Sequence, residues 1–290
     1  MKKISLILLA MVLTVSSVFT LASCSSDADA VMVGAQNGTT GYFFMKGDAD
    51  WGFDGFANLD VKGYDNGALA VQALLNGNVK YVVIDRDVAT ALVAKNSGTK
   101  IVDIALTTEE YGIAVDKAQP ALRDQINTIL EAKKDEIAKI VEAHSKFYSE
   151  SSSTDTWNGA TFPAGTVDLD NPDKQLVLAT NAEFAPFEFK VGENFAGIDM
   201  EIAKLVADEL GMELVIKNMK FEAIVDSIGK NCIDLGVAGL TINESRLKVV
   251  DFTGNYHKAS QVIICKSDDT TFDKCEKAED VIEVLKGFNK

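Results

Sequence analysis

Short apolar runs alternate with stretches whose apolar positions recur at helical spacing, from Val31 almost to the C terminus. The apolar runs predict strands at 31–36, 81–84, 101–106, 111–115, 175–179, 213–217, 233–237 and 261–265. Between them, residues 66–76 place Ala68, Val71, Leu74 and Leu75 on one face and end at Gly77, which predicts a capped amphipathic helix. Further helices are predicted at 88–93, 199–210 (closed by Gly211), 221–228 (closed by Gly229) and 278–285. Pro120 opens a long one over 121–148, with Ile126, Ile129, Leu130, Ile137, Ile140 and Val141 on its apolar side. Residues 43–61 read as loop, broken by Gly47, Gly52 and Gly55. Strand and helix alternating in this way give an α/β class.

Two stretches break the pattern. Residues 1–23 join Lys2 and Lys3 to a long apolar run and read as an export signal. The run ends in Leu21-Ala22-Ser23-Cys24, which resembles a bacterial lipobox, so Cys24 is the expected lipidation site and 24–30 a tether. Residues 149–173 begin SESSSTDT and continue with Asn158-Gly159, Pro163, Gly165 and Asn171-Pro172, a linker texture. At 290 residues with 47% hydrophobic residues and mean hydropathy +0.07, the remainder can bury a sizeable core. The formal charge of −15 disfavours nucleic acid and anionic membrane surfaces as partners, leaving a lipid anchor as the expected membrane link.

The chemistry gathers around AGLTINESRLKVVDFTGNY, residues 238–256. Arginine offers a planar fork of N–H donors that matches a carboxylate, and Arg246 follows the turn at Ala238-Gly239 and the hydroxyl of Thr241. Arg246 could equally sit at the surface or cap a helix. Asn37-Gly38-Thr39-Thr40-Gly41 brings hydroxyls and backbone N–H groups to a possible helix start, which suits an anion or an ordinary turn. Asp85 stands at the C-terminal end of a predicted strand, where α/β sheets place ligands, and suits an ammonium group or a helix cap. Phe184, Phe187 and Phe189 surround Pro186 in a stiff aromatic loop.

ATNAEFAPFEF, Gly197-Ile198-Asp199-Met200-Glu201-Ile202 and IDLGVAGLTINESRLKVVDFTGNY resemble the N-terminal half of the bacterial extracellular solute-binding proteins, family 3, which serve polar-amino-acid ABC transporters. VGAQNGTTGYF, NGALAVQALLNGNVKYVVID and TEEYGIAV resemble that family's C-terminal half. The halves stand in reversed order, so the chain reads as circularly permuted, with residues 149–173 bridging the old termini. The resemblance implies a two-lobed periplasmic-binding-protein-like fold of type II. One lobe would be split between 31–110 and 267–290. The other would run from 117 to 260, with hinges at 111–116 and 261–266. It also implies roles. Arg246, Thr241, the backbone at Ala238 and Gly239, Thr40 and Thr39 would hold an α-carboxylate. Asp85 would take the α-ammonium. Phe184 and Phe221 would sandwich the side chain, near Asn181. An acid is common in the family where Asn181 stands in members with basic ligands, so Asn181 points to a neutral or polar one, although Glu183 could restore an acid.

The expected partners are a free polar amino acid and an ABC permease, with the protein monomeric, free of cofactor and metal, and not an enzyme. The alternatives are a dehydratase-like enzyme on the same fold, or a lipoprotein that has lost binding. Only His144 and His257 are available as imidazole bases, and neither has metal-ligand spacing. Cys265 and Cys275 are a possible disulfide in an exported protein, leaving Cys232 alone.

Overall fold

A computed structural model describes residues 30–150 and 156–288. Cys24 and its tether, the export signal, and residues 151–155 of the linker lie outside the described residues. Two five-stranded sheets organise the chain. In the first, strands run in the order 59–64, 31–36, 81–85, 261–266, 99–102. The three leading strands are parallel, and Gln261–Lys266 is antiparallel to both its neighbours. In the second, the order is 213–218, 175–180, 235–236, 114–115, 251–252. Here too the first three are parallel and Ala114–Val115 runs against both its neighbours.

Each sheet therefore contains one strand inserted from a distant part of the chain. The two passages between sheets lie side by side, as the antiparallel ladder Glu109–Tyr111 with His257–Ala259. Tyr111 also bridges to Thr241. Gln261–Lys266 was expected at a crossing. It is an interior strand of the first sheet, buried along its length except at Lys266, because its apolar side chains match a sheet covered on both faces. The passage instead falls on the half-exposed residues just before it.

Apolar side chains of both sheets and their helices fill three clusters, with Tyr81, Leu74, Leu176, Leu178, Ile198 and Met200 fully buried. Each such side chain contributes about 1.5–3 kcal/mol relative to exposure. The helix over Gly67–Leu75 begins as expected, with Asn66 accepting from the N–H of Leu69. The long helix predicted after Pro120 divides in two, Pro120–Ala132 and Lys134–Glu150, because Lys133 leaves helical geometry. Residues 43–61, expected as loop, instead hold the end of a helix at Thr40–Lys46, a tight turn at Ala49–Trp51 and the start of the edge strand Leu59–Tyr64. Among the described residues no helix is long and apolar enough to cross a membrane.

From residue 156 onward, the linker lies against the second sheet's lobe. Phe162 exchanges backbone hydrogen bonds with Phe195 (2.7 and 2.8 Å), and Ala164 accepts from Ile216 N at 2.7 Å. Trp157 stacks on His144 with ring centroids 4.0 Å apart. Cys265 is buried on its interior strand and Cys275 is half-buried in a loop. Both are free thiols, so the anticipated bridge is absent: one belongs to the sheet and the other to the loop that packs over it.

Candidate functional site

The C-terminal ends of the parallel strands of both sheets face one another, and the polar residues singled out in the sequence converge there. Asn243 caps the short helix Glu244–Leu247 by accepting from Arg246 N at 2.9 Å. That turn directs Arg246 inward, where it is only 7% exposed. Its Nη1 donates to the carbonyl of Thr241 at 2.9 Å, and its Nη2 to the carbonyl of Gly38 on the opposite lobe at 3.3 Å. Trp51 and Phe221 lie 5.0 and 5.4 Å from the guanidinium carbon. Among the described residues no carboxylate forms an ion pair with Arg246. Burial draws its pKa down to about 10, against the opposing pull of Glu109, Tyr111 and Asp85.

Asp85 ends strand Tyr81–Asp85 and is 4% exposed. It stands at the start of helix Arg86–Lys95 without capping it through its side chain; it accepts the Tyr111 hydroxyl instead, in a short hydrogen bond. Burial, with Glu109 second, pushes its pKa up to about 7. Glu109 sits beneath Thr241, accepting from Thr241 Oγ1 at 2.6 Å, Gln261 Nε2 at 2.9 Å and Thr107 Oγ1 at 2.7 Å. Thr40 donates across the cleft to Thr241 Oγ1 at 3.2 Å. The hydroxyl of Thr39 is spent locally, donating to Gln36 O at 2.8 Å and accepting from Tyr42 N at 3.4 Å. Asn181 accepts from Gln36 Nε2 across the cleft at 3.0 Å and donates to Met219 O at 2.8 Å.

Gly239 makes its turn at φ +53°, and a Cβ there would press on Phe184 and Tyr111 at 3.1 and 3.2 Å. Its N–H, expected to hold a ligand carboxylate, instead donates to Asp199 Oδ2 at 2.7 Å because that buried acid lies directly beneath the turn, and Tyr256 donates to Asp199 Oδ1 at 2.8 Å. Asp199 and Glu188 are both fully buried acids. Burial raises the pKa of Asp199 to about 6, while burial and then Asp199 raise that of Glu188 well above the carboxylate range. Ala238 is fully buried in the same turn. Phe184 is buried beside Phe187 at a ring distance of 6.1 Å, and Phe221 lies against Arg246. Glu183 stays exposed and accepts from Asn66 Nδ2 at 3.0 Å.

The structure thus gathers Arg246, Thr241, Gly239, Thr40, Asp85, Asn181 and Phe221 around one cleft. The sequence reading missed Gln36, Trp51, Glu109, Tyr111 and Gln261. A signal existed for two of them. Glu109, Glu110 and Tyr111 alternate in, out and in, as a strand requires, and the pattern marks a carboxylate and a phenol turned inward. Chemically, the cleft offers one buried cation facing two buried carboxylates, with hydroxyls and backbone groups between them. It suits a small zwitterion. No group of acids, histidines or cysteines fit for a metal occurs among the described residues.

Residues 176–289 match the family model described as bacterial extracellular solute-binding proteins, family 3. The chain is 36% identical over 95 residues to the arginine-binding extracellular protein ArtP of Bacillus subtilis, covering 33% of this chain and 37% of that one. It is 28% identical over 95 residues to a probable histidine-binding protein of Neisseria gonorrhoeae, covering 32% and 35%. The solved arginine-bound domain 1 from TmArgBP is 31% identical and covers 41% of this chain and 98% of that one, with a TM-score of 0.28. The matches span little more than a third of the curated relatives' own length. The matched segment carries the aromatic loop, the helix of Asp199 and the Arg246 turn, and over that segment the chain is similar to the bacterial extracellular solute-binding proteins, family 3.

Proposed function

We propose that this chain captures one free amino acid between its two lobes and hands it to an ABC importer. The observation that carries the reading is the buried Arg246 guanidinium, which lacks an ion-pair partner among the described residues, with Asp85 buried on the facing lobe. An α-carboxylate on Arg246 and an α-ammonium on Asp85 would neutralise both. Each charge comes from a different sheet, so the pair is completed only when the cleft closes on ligand. The ladder Glu109–Tyr111 with His257–Ala259 is the proposed hinge, joining a lobe of residues 31–108 plus 260–288 to one of residues 112–256.

Asn181 supplies no acid at its own position, yet Glu109 adds a second carboxylate to the cleft. Two acids against one arginine favour a ligand with net positive charge. The similar proteins include arginine- and histidine-binding ones, so arginine is the first ligand to test. Lipidation at Cys24 would hold the protein at the outer face of the cytoplasmic membrane. The permuted order is also proposed, with residues 149–173 as the bridge; the packing of Phe162 and Ala164 on the second lobe supports it.

Calorimetric titration of refolded, ligand-stripped protein against the proteinogenic amino acids tests the reading. One amino acid should bind tightly, and Arg246→Ala should abolish the heat. The same samples, assayed for ligand turnover, should show none. Heat with no amino acid would end the proposal.

A further inference from the structure

We propose that Trp51 is a latch, a further ligand-retaining residue that closes over Arg246 from the opposite lobe and slows escape of the bound carboxylate. The inference rests on the binding reading above and goes beyond it. It concerns the stretch between Gly47 and Gly55, which sequence periodicity left as loop. Here that stretch is a rigid knuckle. Asp48 Oδ1 accepts from Asp50 N at 2.9 Å and Trp51 N at 3.3 Å. Asp48 and Phe53 exchange backbone hydrogen bonds at 2.8 and 3.0 Å. Gly52 closes the turn at φ +74°, in the left-handed region that favours glycine.

The knuckle fixes where the indole points. One face stacks on Phe43 of helix Thr40–Lys46, with centroids 4.4 Å apart and planes 26° apart. The ring also reaches the guanidinium of Arg246 at 5.0 Å, a cation–π distance. Trp51 belongs to the first sheet's lobe and Arg246 to the second's, so this contact exists only when the lobes meet. Phe221, on the second lobe, lies 5.4 Å from the same guanidinium and remains with it in any arrangement of the lobes. The cation is therefore flanked by one permanent ring and one that arrives on closure. An arriving indole excludes water from the guanidinium and strengthens every hydrogen bond the arginine makes to a carboxylate. Opening must break this contact before the carboxylate can leave. The effect belongs in the dissociation rate, not the association rate. Neighbouring Asp50 pairs with Lys248 at 2.7 Å, but both side chains are exposed, and this pair adds little.

The sequence contains two tryptophans, so Trp157→Phe leaves Trp51 as the single indole reporter. In that background, L-arginine and each other proteinogenic amino acid are added in turn, with calorimetry run in parallel. The amino acid that binds should shift Trp51 emission in this background; in the parent and in every Trp51 variant the dissociation rate is read by chasing bound radiolabelled amino acid with excess unlabelled amino acid, and the association rate is that rate divided by the calorimetric Kd. Trp51→Ala should raise the dissociation rate about tenfold or more and change the association rate less than about threefold. Trp51→Phe, which keeps a ring and guards against a folding defect, should fall between. If an amino acid binds but Trp51→Ala and Trp51→Phe both leave its dissociation rate within about twofold of the parent, the latch is wrong and the binding reading stands. If no amino acid binds the parent protein, both are withdrawn.

Discussion

A buried guanidinium without an ion-pair partner among the described residues is an arrangement that stability alone would not select, since desolvating a charge costs several kcal/mol. Arg246 accepts that cost by donating to the carbonyls of Thr241 and Gly38 and by lying between two aromatic rings. Arg246→Lys keeps the charge but loses the planar fork, and we expect it to weaken ligand binding by about 100-fold in calorimetry while leaving the melting temperature unchanged or higher. Asp85 gives a pH signature whose sign is fixed by its raised pKa of about 7, against 3.8 in an unfolded chain. The folded, ligand-free protein holds this proton more tightly than the unfolded chain. Asp85 therefore lowers stability as pH rises from about 4 to about 7, by at most roughly 4 kcal/mol, and Asp85→Asn should flatten that part of the profile in chemical denaturation. A bound ammonium favours the ionised acid. Ligand affinity should consequently fall by about tenfold per pH unit below about 7, with proton release visible as buffer-dependent heats.

At the scale of elements, the cleft depends on turns that tolerate no side chain. Gly197, at φ +125°, starts the helix Ile198–Leu210, and a Cβ there would collide with the backbone carbonyl of Phe187. Gly239 has only aromatic ring edges near its missing Cβ, at 3.1 Å and beyond. Gly197→Ala should therefore destabilise the protein by about 3 kcal/mol or more. Gly239→Ala should cost about 1–2 kcal/mol, with a larger loss of affinity than of stability, because its N–H and its neighbours shape the ligand cleft. Thermal or urea unfolding beside calorimetry separates the two. The linker behaves as an element too. Trp157 covers fully buried His144, whose Nε2 pairs with Glu201 Oε1 at 2.8 Å, and Trp157→Ala should cost about 3 kcal/mol without altering ligand affinity.

For the whole molecule, the contacts that span the cleft divide by burial. Gln36 with Asn181 and Thr40 with Thr241 are buried, whereas Lys220 with Asp65 and Lys248 with Asp50 are exposed. A buried hydrogen bond broken by truncation leaves its partner unsatisfied, but an exposed ion pair is already screened by water. Gln36→Ala should weaken binding by about tenfold. Lys220→Ala and Lys248→Ala should each change it by less than about threefold at physiological salt, as titration under one set of conditions would reveal.

The strands, most helices and the chemical identity of Arg246 and Asp85 were determined by sequence, because local periodicity and side-chain type are local properties. A helix–turn boundary such as Lys133 was not legible, since nothing in its residue type distinguishes it from the helical positions around it. Gln36 and Gln261 were also unreadable as site residues, for a different reason. Their role comes from meeting Asn181 and Glu109 more than a hundred positions away, and only the folded sheets bring those positions together. Trp51 is the sharpest case: an aromatic in a glycine-rich loop meets Arg246 only when the two lobes close and place the guanidinium beside it. Sequence supplied the charges that a zwitterion requires, and tertiary structure decided which of them face each other, because electrostatic complementarity depends on distance in space and not along the chain.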